Sequence, residues 1–187
     1  MAAVQEMSDV DDATLLRRHA AGDLDAFGEI FRRHRDRMWA LALRTTRDPE
    51  LASDAVQDAF LNAFRRADSF RGDSQVTTWL HRITVNACLD RLRRVRPTSD
   101  ITDLDPMDPH DRHHSVDVRL DVQAALARLP EGQRLALTLV DMHGLSIAEA
   151  ARVLDVAEGT VKSRCSRGRE AMARILTVGG AAGEDPP

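Results

Sequence analysis

Between residues 12 and 96, apolar side chains recur at three- and four-residue spacing in four successive stretches, the signature of helices with one buried face. The first covers 13–21 and ends at Gly22-Asp23. The second, over 24–47, places Phe27, Ile30, Phe31, Met38, Leu41 and Ala42 on one side. Asp48-Pro49 then restarts the chain, with Asp as N-cap and Pro at the first helical position. The third helix carries Ala52, Ala55, Val56, Ala59, Phe60 and Ala63 inward. Residues 69–73, SFRGD, read as a loop. The fourth helix, over 74–95, turns Val76, Trp79, Leu80, Ile83, Ala87 and Leu92 inward, and Pro97 prevents its continuation.

A second helical block follows. Residues 117–129 stop before Pro130, and 131–142 stop before Gly144. Ser146-Ile147-Ala148-Glu149 is a capping box opening a short helix that ends near Leu154. Asp155-Val156-Ala157 is a tight turn, and a long helix runs over 158–176. The expected class is all-α: two small helical domains, 12–96 and 117–176, the second containing a helix-turn-helix. Residues 97–116 form an acidic, proline-containing linker whose like charges keep it extended. Residues 1–11 and 177–187 read as loose ends.

Composition agrees with that class. The 187 residues are 43% hydrophobic and 30% charged, enough apolar material for a buried core. All aromatic residues precede position 80, and no Tyr is present. Two Cys without a CxxC or CxxH pattern exclude a disulfide scaffold and a zinc finger. No run approaches the apolar length of a membrane span, so direct membrane insertion is not expected, and the default compartment is a reducing cytoplasm. The net charge of −4 conceals an uneven distribution: residues 13–96 carry +5, 97–121 carry −5, and 122–176 carry +2. Two basic blocks flank an acidic one, which keeps nucleic-acid binding open despite the sign of the total.

Three surfaces carry candidate chemistry. On the long helix, Val161, Cys165, Gly168, Met172 and Ile175 form an inward stripe. Lys162, Ser163, Ser166, Arg167 and Glu170 then face out, with Arg164 and Arg169 on the flanks. Such a face, after a capped helix and a three-residue turn, suits the major groove, where Arg reads guanine edges and Ser and Lys take phosphates or bases. Asp155 stands where such turns often carry Gly, and Asp tolerates the left-handed conformation better than most residues. On the fourth helix, Arg91, Arg93 and Arg94 lie close to the C-terminus. They suit the helix dipole and phosphate contact equally. The third helix differs: Asp54, Gln57, Asp58 and Leu61 mix acid, amide and exposed apolar character, suited to a protein partner or to solvent.

The ordered set AVQDAF, SFRGDS, WLHRI, VNACLDRLRR and GTVKSR resembles the extracytoplasmic-function (ECF) sigma factors of bacterial RNA polymerase, over about residues 12–176. The arginine-rich wording resembles the actinobacterial SigM-like subgroup. The resemblance implies that the face of Asp54, Gln57, Asp58 and Leu61 docks on the clamp helices of the polymerase β′ subunit. Phe70, Arg71, Gly72 and Asp73 would shape a pocket for a base extruded from the minus-ten element, Asn86 would contact that base, and Arg91, Arg93 and Arg94 would follow phosphates. Lys162, Ser163, Arg164, Ser166 and Arg167 would read the minus-thirty-five element. Ser166 is smaller than the residue some members carry there. The acidic linker would thread the polymerase cleft and RNA exit path, and the β subunit is expected among the chain's contacts on core polymerase. Expected partners are core polymerase, promoter DNA and a cognate anti-sigma factor.

Other readings are weaker. His110, His113 and His114 with Asp105, Asp108 and Asp111 are neighbours on a linker, a poorly organised metal site, so no metal or other cofactor is expected. No phosphate-binding loop, dinucleotide fingerprint or nucleophile motif marks an enzyme. Cys88 and Cys165 fall at or near inward positions and read as structural thiols. The runner-up function is an autonomous helix-turn-helix transcription regulator, which would bind duplex operator alone and with dimer symmetry.

Overall fold

The first three helices each begin at an aspartate. In this computed structural model, which describes residues 9–95 and 118–180 (side chains for 9–95 and 122–177), Asp11 accepts a hydrogen bond from the Thr14 backbone N–H at 2.9 Å and starts α1 (Asp12–Ala20). Asp23 caps α2 (Leu24–Thr46) in the same manner. Asp48 accepts from the Glu50 and Leu51 N–H groups at 2.8 and 3.0 Å, and Pro49 opens α3 (Pro49–Arg65), as the Asp-Pro pair predicts. Arg47 closes α2 in the left-handed region at φ 60°, a turn its sequence does not advertise. A short 3₁₀ turn (Ala67–Ser69) and a bend at Gly72, φ 78°, lead into α4 (Val76–Val95).

The chain divides between Val95 and Arg96 into two compact units. In the first, Leu15, Leu16, Phe27, Ile30, Met38, Phe60 and Leu80 are buried together. A second seam is built from small side chains: Ala52, Ala55 and Ala59 of α3 pack with Ala42 of α2 and Ala87 and Cys88 of α4. Alanines here let α3 and α4 approach closely. Polar groups close the other side. Glu29 lies buried between Arg32 and Arg33, while Arg33 and His34 both reach Asp12 of α1, at 2.8 and 2.6 Å. Phe31, placed inward by periodicity, is instead 42% exposed and meets Phe60 edge-on. It sits at the rim of the stripe, where α2 faces α3 across an open groove. Phe64 is exposed on the same groove, with one face held by Phe27 and His19. Trp79, Ile83 and Leu92 are half-buried.

The second unit contains α5 (Val118–Ala127), α6 (Glu131–Leu137), α7 (Ile147–Leu154) and α8 (Glu158–Gly180), with α5, α6 and α7 all packed against α8. Its buried side chains include Leu126, Leu135, Leu139, Leu145, Val153, Val161 and Cys165. The reading of 131–142 as one α-helix needs correction: after Leu137 the helix widens into a π-helical turn, Thr138–Met142, closed when the His143 N–H donates to the Thr138 carbonyl at 3.0 Å. That wider turn carries Asp141 and Met142 onto the surface. The capping box is present, with Ser146 and Glu149 each satisfying the other's backbone N–H. Asp155 takes the left-handed conformation, φ 52°, expected of a turn residue at that place. α8 continues through Gly180, past residue 176, since no proline or cap intervenes before the glycines. Among the described residues, no helix is long and apolar enough to cross a membrane. The segment 97–116, with its His and Asp cluster, lies outside the described residues.

Candidate nucleic-acid and partner interface

α8 is seated by its small and apolar residues. Val161 and Cys165 are buried, and Gly168 is buried against α6, where a Cβ would lie 2.9 Å from Leu137 Cδ1. With that face fixed, Lys162, Ser163, Ser166 and Arg167 are brought together on the exposed side at helical spacing. Arg167 lies along the helix: its Nε donates to the Ser163 carbonyl at 3.3 Å and its Nη2 to Ser163 Oγ at 3.2 Å. Ser166 donates to Glu170 Oε1 at 3.3 Å, so the same face carries a carboxylate. Arg164 is set apart from this group. It is half-buried, and its guanidinium packs so closely on Gly132, in the first turn of α6, that a Cβ there would lie 2.9 Å from its Nε. Arg169 forms a two-armed pair with Asp141, at 3.0 and 2.7 Å. The π turn that exposes Asp141 is what makes this pair available, and sequence periodicity alone carries no sign of it.

In the first unit the alanine seam sets the geometry. It brings the C-terminal half of α4 against α3, and Arg91 emerges at its edge beside two carboxylates one turn apart. Arg91 Nε donates to Asp58 Oδ2 at 2.8 Å, Nη2 lies 2.6 Å from the same oxygen, and Nη1 donates to Asp54 Oδ2 at 2.8 Å. The hydrogen bond that Arg91 donates to Asp58, more than any other contact, raises the guanidinium's pKa above its ordinary value. Sequence reasoning grouped Arg91 with Arg93 and Arg94 as phosphate-facing. In the structure its donors are turned to α3 instead. Arg93 pairs with Asp90 at 3.1 Å, and Arg94 has no carboxylate partner among the described residues.

Asn86 is exposed on another side of α4, in a stripe with Arg82, Asp90 and Arg93. Arg82 belongs to this stripe by the i, i+4 rule, and the sequence reading did not single it out. Phe70 is half-buried: its ring meets Trp79 at 5.6 Å and packs on the first unit's core. Trp79 lies two turns before Asn86, so Phe70 and Asn86 share one side of α4. Arg71, Gly72 and Asp73 are exposed in the intervening loop. Gln57 and Leu61 border an apolar groove of about 620 Å³ between α2 and α3, lined by Phe27, Phe31, Val56, Phe60 and Phe64. Leu61 is one of the groove's exposed apolar residues.

Both thiols are buried. Desolvation pushes Cys88 up to about 12 and raises Cys165 as well, which keeps them protonated and unreactive at neutral pH.

Comparisons with known proteins agree on both units. Residues 30–98 match the family model of sigma-70 region 2, and residues 119–172 match that of sigma-70 region 4. The chain is 54% identical over 165 residues to the ECF RNA polymerase sigma factor SigM of Mycobacterium tuberculosis, covering 88% of this chain and 84% of that protein. Among solved structures, CnrH in complex with the cytosolic domain of CnrY superposes with a TM-score of 0.68 at 28% identity, over 89% of this chain and 97% of the other. The sigma factor RpoE of Bartonella quintana, in complex with the anti-sigma factor NepR, gives 0.66 at 29% identity, over 81% and 97%.

Proposed function

The chain belongs to the sigma-70 family as an ECF sigma factor, an alternative promoter-selecting subunit of RNA polymerase, and from that premise we propose how its surfaces divide the work. α3 offers Asp54, Gln57, Asp58 and Leu61, with the adjoining apolar groove, to the β′ clamp helices of core polymerase. Loop 69–73 and the Asn86 side of α4 receive the minus-ten element. There Phe70, Arg71, Gly72 and Asp73 frame an extruded base and Asn86 contacts it, while Arg93 and Arg94 meet phosphates. Unstacking a base costs a few kcal/mol, which these contacts offset. α8 enters the major groove of the minus-thirty-five element through Lys162, Ser163, Ser166 and Arg167, with Arg164 at its border. The acidic segment 97–116 meets the cleft and RNA exit path beside the β subunit, where its charge suits a channel built for RNA. The chain works in the cytoplasm and carries out no catalysis of its own. A cognate anti-sigma factor, like the one in complex with the related RpoE, covers these faces until a signal removes it.

The observation that carries this reading is the orientation of α8: its small buried residues fix it on α6 and α7 and leave the cationic, hydroxyl-bearing side open. The test is run-off transcription from host genomic DNA with purified core polymerase, with and without the chain. New discrete transcripts that depend on the chain are expected. Operator binding by the chain alone, with no effect on core polymerase, would contradict it.

A further inference from the structure

The Arg91 cluster joins two surfaces with different partners. Arg91 belongs to the helix that carries Asn86 and Arg94, while Asp54 and Asp58 belong to the proposed polymerase face. All three donor-bearing nitrogens of the guanidinium are turned to these two carboxylates, at 2.6–2.8 Å. The cluster sits at the surface, where ion pairs are weak enough to exchange partners. One cation therefore stands between two demands, carboxylates on one side and phosphate on the other.

We propose that Arg91 is a positioning residue that couples polymerase docking to promoter contact. In the free chain Asp54 and Asp58 hold it away from DNA. When a basic partner surface takes those carboxylates, the guanidinium is released toward a phosphate beside Arg94. The chemistry required of the partner is cationic, because it must compete with Arg91 for the same oxygens. The device would make promoter affinity depend on docking without any change of backbone.

This inference rests on the reading that α4 meets promoter DNA. The experiment measures binding to a fluorescein-labelled duplex with an internal mispaired bubble, as a function of salt, for the free chain and for the chain reconstituted with core polymerase. Each phosphate neutralised contributes roughly 0.7–0.9 to the slope of log K against log salt. In the free chain, Arg91→Ala should leave the slope unchanged. In the holoenzyme it should lower the slope by about 0.7–0.9 and weaken binding several-fold. Asp54→Ala with Asp58→Ala should steepen the free chain's slope by about the same amount, and adding Arg91→Ala should remove that gain. Circular dichroism checks that each variant is folded. A loss with Arg91→Ala in both states makes it a standing phosphate contact. No loss in either makes it a structural staple. A gain from the aspartate substitutions that survives Arg91→Ala is long-range charge alone. Each of these results overturns the proposal. Arg94→Ala separates the two levels: if it leaves the slope unchanged in both states, the reading of α4 as a DNA surface falls as well. If it lowers the slope while Arg91 fails, only the coupling falls.

Discussion

Glu29 shows how a single buried charge makes the first unit sensitive to acid. Its carboxylate is 4% exposed and accepts from Arg32 at 2.8 and 2.6 Å and from Arg33 at 2.7 Å. Hydrogen bonding from Arg32, the largest cause, brings its pKa down from 4.5 to about 2 despite burial. Asp12 is lowered in the same sense, first by its hydrogen bond with His34 and further by Arg33. A depressed carboxylate contributes stability that is complete above its unfolded pKa and is lost as pH falls through its folded value. The contribution of Glu29 should therefore decline from pH 4.5 toward about 2. Glu29→Gln should cost about 1–3 kcal/mol at neutral pH, because Arg33 loses a charged partner. The two tryptophans, Trp39 and Trp79, both lie in the first unit, so their fluorescence follows its unfolding selectively. The gap in melting midpoint between wild type and Glu29→Gln should be widest near neutral pH and close on acidification. A gap independent of pH would show that the carboxylate's ionisation is not what the arginines stabilise.

At the scale of elements, the turn of the helix-turn-helix and α3, the helix proposed to dock on polymerase, each give a test. Asp155 occupies the left-handed region, where a Cβ is unfavourable for most residues and glycine is not. Asp155→Gly should raise the stability of the second unit by about 1 kcal/mol or less, and Asp155→Val should lower it by about 1–2 kcal/mol. Helical circular dichroism should register both shifts while tryptophan fluorescence does not. On α3, Asp58→Arg should abolish capture by core polymerase in a pull-down and leave the helical spectrum intact. Undiminished capture would remove Asp58 from the docking face. Local features of this kind were legible in advance. Asp48-Pro49, the Ser146–Glu149 box and the strained Asp155 are each decided within four residues, and the open side of α8 follows from its apolar stripe. Features decided by distant contacts were not. Arg91 finds Asp58 and Asp54 across 33 and 37 residues, so a pattern along one helix grouped it with its cationic neighbours. Phe31 has core spacing but stands at a groove that only the packing of α2 and α3 defines. The π turn after Leu137 moves Asp141 to Arg169, and no periodicity announces one extra residue in a turn.

The whole molecule consists of two helical units with separate cationic faces, joined through an acidic stretch. A tether the length of residues 97–116 reaches at most roughly 60–70 Å. On the proposed function, that length allows two weak DNA contacts on elements about two helical turns apart, the second becoming a local event once the first is made. The central claim is that each unit selects its own promoter element. The measurement that meets it most directly is run-off transcription with core polymerase on promoter libraries randomised in one element at a time. It compares the unsubstituted chain with Arg167→Ala on α8 and Asn86→Ala on α4. Arg167→Ala should relax selection only in the upstream element, by about 1–3 kcal/mol if the guanidinium forms a paired contact to guanine. Asn86→Ala should alter preference at one position of the downstream element and leave the upstream profile unchanged. If Arg167→Ala changes only the downstream profile, or Asn86→Ala only the upstream one, the division of labour between the two units is wrong.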